Sequence, residues 1–334
     1  MRTYFHWILL ASSLLATTAS AWADSLANDD LRAQALAAAP SSQGWKAGVT
    51  LGSTFSFNQS QSVVGTADGV AMQLGVLADG QATYTAGQHA WSNALKLNYA
   101  ESKTPVLDRF VKSADVLEFN TAYTYRLAEI PWIGPYARAR LATQMTPSYL
   151  VKSTPFGVKW SAADATATPY GAQQFVQVTG AFDPILIGEA VGLFANPTES
   201  EAVTVKLKLG LASQQLFTSW GYSVADDTNV AAIQMKALQN ATQVGGEAEV
   251  LAYGQVSTDL KWKAKALFFM PFYTSIAGTA SGIDALNSDF SAGASYKLSK
   301  WLSVDYVFSA KHVPLVSDKW QIQNGAVLTA GFNL

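Results

Sequence analysis

From Trp45 onward, apolar and polar residues alternate with a period of two, the spacing that places successive side chains on opposite faces of a strand. In Trp45 to Asn58 the odd positions are Trp45, Ala47, Val49, Leu51, Ser53, Phe55 and Phe57, and the even ones are polar or glycine. The alternation returns at Trp91 to Tyr99, Leu117 to Leu127, Ala137 to Gln144, Val203 to Leu211 and Leu260 to Phe268. Phe290 to Leu298, Leu302 to Ala310 and Trp320 to Leu334 repeat it, and Val70 to Tyr84, Pro184 to Phe194 and Glu247 to Val256 carry it less regularly. These segments make about twelve strands, an even number as bacterial outer-membrane barrels require.

The connections between them are alternately short and long. Thr85 to Ala90, Ala128 to Gly134, Ala195 to Ser200, Ser257 to Asp259 and Ser299 to Trp301 are short. Met145 to Asp183 and Thr218 to Gly246 are the longest and are rich in Gly, Ser, Thr, Asn, Asp and Pro. The expected fold is therefore an all-β transmembrane up-and-down antiparallel barrel over residues 45–334, with short periplasmic turns and long extracellular loops.

Composition agrees. The chain is 49% hydrophobic and only 14% charged, which excludes a disordered or coiled-coil protein, and fits a wall as apolar outside as inside. A secreted β-sandwich with the same alternation would need a more charged water-facing side. Residues 1–23 read as a cleavable signal: Arg2, an apolar stretch from Trp7 to Ala16 broken by Ser12 and Ser13, and Ala21-Trp22-Ala23 or Ala19-Ser20-Ala21 as the cut. Residues 24–44 form a short lead rich in Ala and Asp. Trp45, Trp91, Trp220, Trp262, Trp301 and Trp320 lie at or beside strand ends, where indoles form a membrane-interface belt; Trp132 does too, and Trp160 falls within a loop.

Candidate chemistry is sparse. With no cysteine and only His6, His89 and His312, no cofactor and no metal centre are expected. The near-neutral balance, 22 Lys+Arg against 24 Asp+Glu, offers no footprint for nucleic acid. Asp226-Asp227 and Asp284 with Asn287 and Asp289 are read as solvated loop groups, since their spacing fits no EF-hand. His89 is expected in a turn without a partner. His312 and Asn324 share the outward register, but a hydrolytic site needs a neighbouring serine; Ala310 and Pro314 flank His312 and Ser288 is distant in sequence. No catalysis is expected.

The polar registers are more informative. They carry the cations Lys46, Lys96, Arg138, Arg140, Lys206, Lys208, Lys261, Lys263, Lys265, Lys297 and Lys311 against the acids Glu118, Glu247, Glu249 and Asp305. Eleven cations against four acids predict a basic lumen, because rings of Lys and Arg favour anions in pores.

Gly44-Trp45-Lys46-Ala47-Gly48, Trp91-Ser92-Asn93, Lys112-Ser113-Ala114-Asp115 with Asn120, and Thr143-Gln144 resemble the outer-membrane β-barrel family catalogued as domain of unknown function 3078. The resemblance implies an exported outer-membrane protein and brings no activity, ligand or catalytic residue. Barrels of this kind usually end in phenylalanine as part of an assembly signal, whereas this chain ends Gly331-Phe332-Asn333-Leu334. Outer-membrane lipid and the barrel-assembly machinery are the expected partners. The expected function is a porin-like passive channel for small polar or anionic solutes, or alternatively a closed structural or surface-recognition barrel acting through its long loops.

Overall fold

A computed structural model describes residues 43–60, 69–161, 163–200, 202–224, 232–276, 282–314 and 317–333. The proposed signal segment and all but the end of the lead lie outside them, as do Asp226 and Asp227.

Twelve long strands build the wall: β1 (Gly44–Ser60), β2 (Gly69–Ala86), β3 (His89–Lys103), β4 (Val111–Tyr125), β5 (Ile133–Thr143), β10 (Ile185–Glu199), β11 (Thr204–Phe217), β14 (Ala241–Gln255), β15 (Leu260–Thr274), β16 (Asn287–Lys297), β17 (Leu302–Val313) and β18 (Ser317–Asn333). Each pairs antiparallel with its neighbours, and β1 closes on β18 over the register Thr50↔Asn333 to Phe55↔Leu328. Closure leaves no row of unpaired backbone groups, the condition for strands in hydrocarbon. All twelve strands expected from the alternation are present.

The wall is inverted relative to a water-soluble protein. Leu209 on the outward register is 68% exposed, whereas Lys263 on the inward one is 2% exposed. Such a surface is stable only where hydrocarbon replaces water outside, so the fold is a transmembrane barrel.

The joins alternate as expected. Short turns link β2 to β3, β4 to β5, β10 to β11, β14 to β15 and β16 to β17; the β5–β10 and β11–β14 connections are long. Several strands run past the alternating segment at the long-loop end: β3 reaches Lys103, β4 starts at Val111 and β11 reaches Phe217. Beyond the bilayer both faces meet water, so the hydrophobic period fades while backbone pairing continues. For the same reason the second long loop ends at Asn240, not Gly246. Ala241 to Gly246 carry no apolar alternation, yet they pair with β11 along Leu216↔Ala241 to Leu211↔Gly246.

The long loops contain strands of their own, which their polar composition did not predict. β6 (Ser148–Leu150) pairs with β9 (Val176–Thr179), and β7 (Phe156–Lys159), β8 (Thr168–Tyr170), β12 (Tyr222–Val224) and β13 (Ala232–Ala237) form a second sheet in the order β12-β13-β7-β8. Because β13 runs parallel to β7, the two loops are joined in one sheet. Leu150, Phe156, Val158, Val176, Val178, Ile233 and Met235 bury a common core against which Trp160 and Tyr170 pack. This is a small cap with its own interior.

On the inward side of the wall, Gly192 of β10 stands opposite Gly210 of β11. A Cβ at Gly210 would overlap the Val191 carbonyl, and one at Gly192 would overlap the Leu209 carbonyl, so the two backbones approach too closely for any side chain. Tyr136, the register partner of Gly192 on β5, is buried with Ala190, Phe194 and Ala212 beside this pair. Gly210→Val is expected to force β10 and β11 apart. Loss of the heat-modifiable folded band on cold electrophoresis, with Gly80→Val retained as folded, is the outcome to look for.

Candidate functional site

The lumen holds a cavity of about 730 Å³. Its floor lies at mid-barrel, where Lys96, Glu118, Arg138, Arg140, Lys208, Glu249, Lys265 and Lys311 meet, and its outer walls mix apolar and polar residues. At the loop end it is lined by cap residues Ser223, Lys236, Ala237, Leu238 and Gln239. The described parts of the 145–183 loop therefore neither hang free nor fill the barrel; with residues 218–224 and 232–240 they form a cap whose edge borders the lumen.

The floor is a network of ion pairs. Glu249 on β14, almost fully buried, receives Lys208 at 2.7 Å, Arg138 at 3.1 Å and Lys265 at 3.5 Å. Arg138 also bonds Glu247, and Arg140 bonds Glu118 at 2.7 Å, which accepts a further bond from the Asn120 amide. Lys311 meets Asp289 at 3.3 Å. Register explains the assembly: Lys208 stands directly opposite Glu249, while Arg138 and Arg140 project inward from β5, with β11 and β10 between it and β14.

The lumen carries acids beyond the four expected on the polar registers, although the cations still outnumber them. Asp79 on β2 and Asp289 on β16 are inward-facing acids that also line this cavity. Asp79 escaped notice because β2 alternates weakly, and Asp289 because it was read as a loop residue. Nor are Asn287 and Asp289 available as cation ligands in a loop, since both lie in β16 and Asp289 holds Lys311. Among the described residues no group of acids and histidines is arranged to hold a metal.

The remaining lumen residues lie toward the short turns. Lys46, Lys206, Lys261, Lys263 and Lys297 all fall within the first few residues adjoining that end, and Lys206 sits 5.3 Å over the Tyr253 ring. At this level Asp305 accepts from the hydroxyls of Ser295 and Ser303, and Glu199, opposite Thr204, bonds the Asn196 amide and Arg126. The charge excess is thus displaced to the inner third, while the mid-barrel belt is nearly balanced.

Trp45, Trp91, Trp220, Trp301 and Trp320 are exposed on the outer surface. Trp45 and Trp91 cluster with Tyr84 at the short-turn end, with Trp45 5.2 Å from Tyr84 and 5.9 Å from Trp91. Trp262, on the same outward register, is half-buried. His89, expected without a partner, instead bonds the Tyr123 hydroxyl and lies 5.0 Å from the Tyr125 ring, because the β3–β4 register sets it directly opposite Tyr125. His312 stacks on Trp320 at 5.3 Å, and its cross-strand partner is Ser288. The serine that was distant in sequence is therefore adjacent in space, a consequence of the hairpin between β16 and β17.

Two polar clamps root the cap, and neither was foreseen as functional. Asp115 accepts from the backbone N–H groups of Met145 and Thr146 at 2.8 and 2.9 Å, from the Thr146 hydroxyl at 2.6 Å and from Lys112 at 2.9 Å. The Gln144 amide donates to the Thr179 hydroxyl at 2.6 Å and to the carbonyls of Gly180 and Asp183, both at 2.7 Å, and accepts from Ser148 at 2.7 Å. Asp183 then reaches the second loop, accepting from the Ser219 hydroxyl and from the Ser219 and Trp220 N–H groups at 3.0 and 3.3 Å.

Residues 57–149 match the model of the family described as protein of unknown function (DUF3078). That stretch contains Lys112, Asp115, Gln144 and Ser148, so the resembling positions in β4 and after β5 are the roots of the cap. No curated protein matches the chain. Among solved structures it is similar to the translocator domain of the autotransporter NalP from Neisseria meningitidis, with 10% identity, TM-score 0.40 and coverage of 94% of this chain and 99% of that one. An outer-membrane channel from Pseudomonas putida F1 gives 11% identity, TM-score 0.40 and coverage of 88% and 96%. The Pseudomonas putida toluene transporter TodX gives 9%, 0.36, and 92% and 91%.

Two outcomes follow from these networks. Removing Glu249 leaves three buried cations without their common acid, so Glu249→Gln is expected to lower stability by about 3–5 kcal/mol in urea unfolding from vesicles, and a second change, Lys208→Met, to restore part of it. At Asp183, burial pushes the carboxyl upward, but the Ser219 hydroxyl and the Trp220 and Ser219 N–H groups outweigh it and hold the pKa below the ordinary 3.8. A lowered carboxylate pKa stabilises fully above the ordinary value and ceases to do so as pH falls through the folded value. Proteolytic cutting of the cap is therefore expected to be flat from about pH 5 to 8 and to rise only below about pH 4, whereas Asp183→Asn raises it throughout.

Proposed function

We propose that the protein is a passive, porin-like channel of the bacterial outer membrane, and not an enzyme, through which small polar solutes cross. The observation that carries this reading is the polar lumen, with its cavity of about 730 Å³, inside a closed wall that is apolar outside. A barrel serving only as a scaffold has no need to bury so many charges, since each carries a desolvation cost that its partner must offset.

The inner third leans toward anions. Lys46, Lys206, Lys261, Lys263 and Lys297 surround the path there against Asp305 and the Arg126-bonded Glu199, and a cationic ring lowers the barrier for anions and raises it for cations. The cap supports a constriction at the outer mouth in preference to free recognition loops, because the two long loops spend their apolar residues on a shared core. Outer-membrane lipid around the wall and the assembly machinery that inserts it are the partners this reading requires.

In planar bilayers the purified protein is expected to give discrete conductance steps, with a reversal potential under a salt gradient displaced toward chloride. Lys206→Glu with Lys263→Glu and Lys297→Glu is expected to move it toward the cation. Absence of steps, or cation preference in the unmodified protein, overturns the proposal.

A further inference from the structure

One row across the lumen combines features that neither the ion pairs nor the cap account for. Glu247 on β14 stands opposite Phe269 on β15, which stands opposite Asn287 on β16, and all three line the cavity. Glu247 is 3% exposed; its Oε2 receives Arg138, but its Oε1 is buried with no donor from the protein. The Asn287 Oδ1 is likewise buried without a donor, while its Nδ2 donates to the Phe269 carbonyl at 3.5 Å. Two acceptors thus flank an aromatic ring, on strands about 10 Å apart. The surrounding wall is mixed: Leu186, Leu216 and Leu267 stand beside Gln214, Gln243 and Ser288.

We infer that this row is a binding site for uncharged solutes with an apolar body and hydroxyl groups, such as phenols and alicyclic alcohols. The inference rests on the channel reading only in taking the occupant to be the carried solute. Buried acceptors without donors favour a ligand that donates, because each leaves a desolvation penalty that a hydroxyl removes. A carboxylate would have to displace Glu247, Glu249 or Glu118 from the cations they hold, and an ammonium reaching Glu247 would meet Arg138. The apolar part of the wall penalises either charge further. The volume suits a molecule of one to three rings.

The test uses the purified barrel in lipid nanodiscs, with empty discs subtracted, and four probes of one shape: 1-naphthol, naphthalene, 1-naphthoate and 1-naphthylmethylammonium. Calorimetric titration is expected to show 1-naphthol saturating a single site about tenfold more tightly than naphthalene, and more tightly than either ion. Asn287→Leu, which leaves the ion-pair belt untouched, is expected to weaken naphthol about fivefold and leave naphthalene unchanged. Equal affinities for naphthol and naphthalene in the unmodified protein, or tighter binding of either ion, overturn the site. Naphthol binding in a protein that gives no conductance overturns the channel reading and leaves the site standing; conductance without naphthol preference does the reverse.

Discussion

Hydrocarbon offers no partner to a peptide N–H or C=O, and a strand can cross it only if both of its edges are paired. The pairing of β1 with β18 meets that condition, and the remaining architecture depends on it. Once the sheet closes, its outer face must be apolar over the height of the bilayer, so polar side chains can go only inward. Closure with twelve strands also sets the bore, between the side-chain-filled interior of an eight-stranded barrel and the open channel of a sixteen-stranded one. The lumen is consequently wide enough for a cavity and narrow enough that charges on facing strands reach one another.

That geometry governs the electrostatics. In the middle of the barrel, cations from β5, β11, β15 and β17 lie near acids on β4, β14 and β16, and a low-dielectric wall makes an unpartnered charge costly. Glu249 serves three cations at once, and Glu247, Glu118 and Asp289 bring the belt closer to neutrality. Near the short turns lysines outnumber the acids, and Lys263 among them is almost fully buried. The outer part, beneath the cap, mixes apolar side chains with polar ones.

The cap follows different rules. Its strands lie beyond the bilayer and bury an ordinary apolar core, but a loop of this length would fold onto the mouth in many ways unless its roots were held. Asp115 and Gln144 hold them from the rim of β4 and β5, each through several hydrogen bonds made at once, and Asp183 ties the second loop to the first. Polar residues buried at a rim specify one arrangement because any other leaves them unsatisfied.

Period two, turn chemistry and the spacing of short and long joins were sufficient to determine about twelve strands in antiparallel order, because a bilayer imposes opposite polarity on the two faces of every crossing strand. Strand ends above the bilayer were not legible, since water bathes both faces there and Ala241 to Gly246 carry no pattern. The pairing of Glu249 with Lys208, Arg138 and Lys265, the inward placement of Asp79, the meeting of His312 with Ser288 and the joining of β7 to β13 were decided by tertiary structure alone. The ion pairs on Glu249 and the β7–β13 join depend on register between segments well separated in the chain, and the meeting of His312 with Ser288 on the register of one hairpin. A single sequence carries the face on which a side chain stands, but not the height at which its neighbour's strand slides past it.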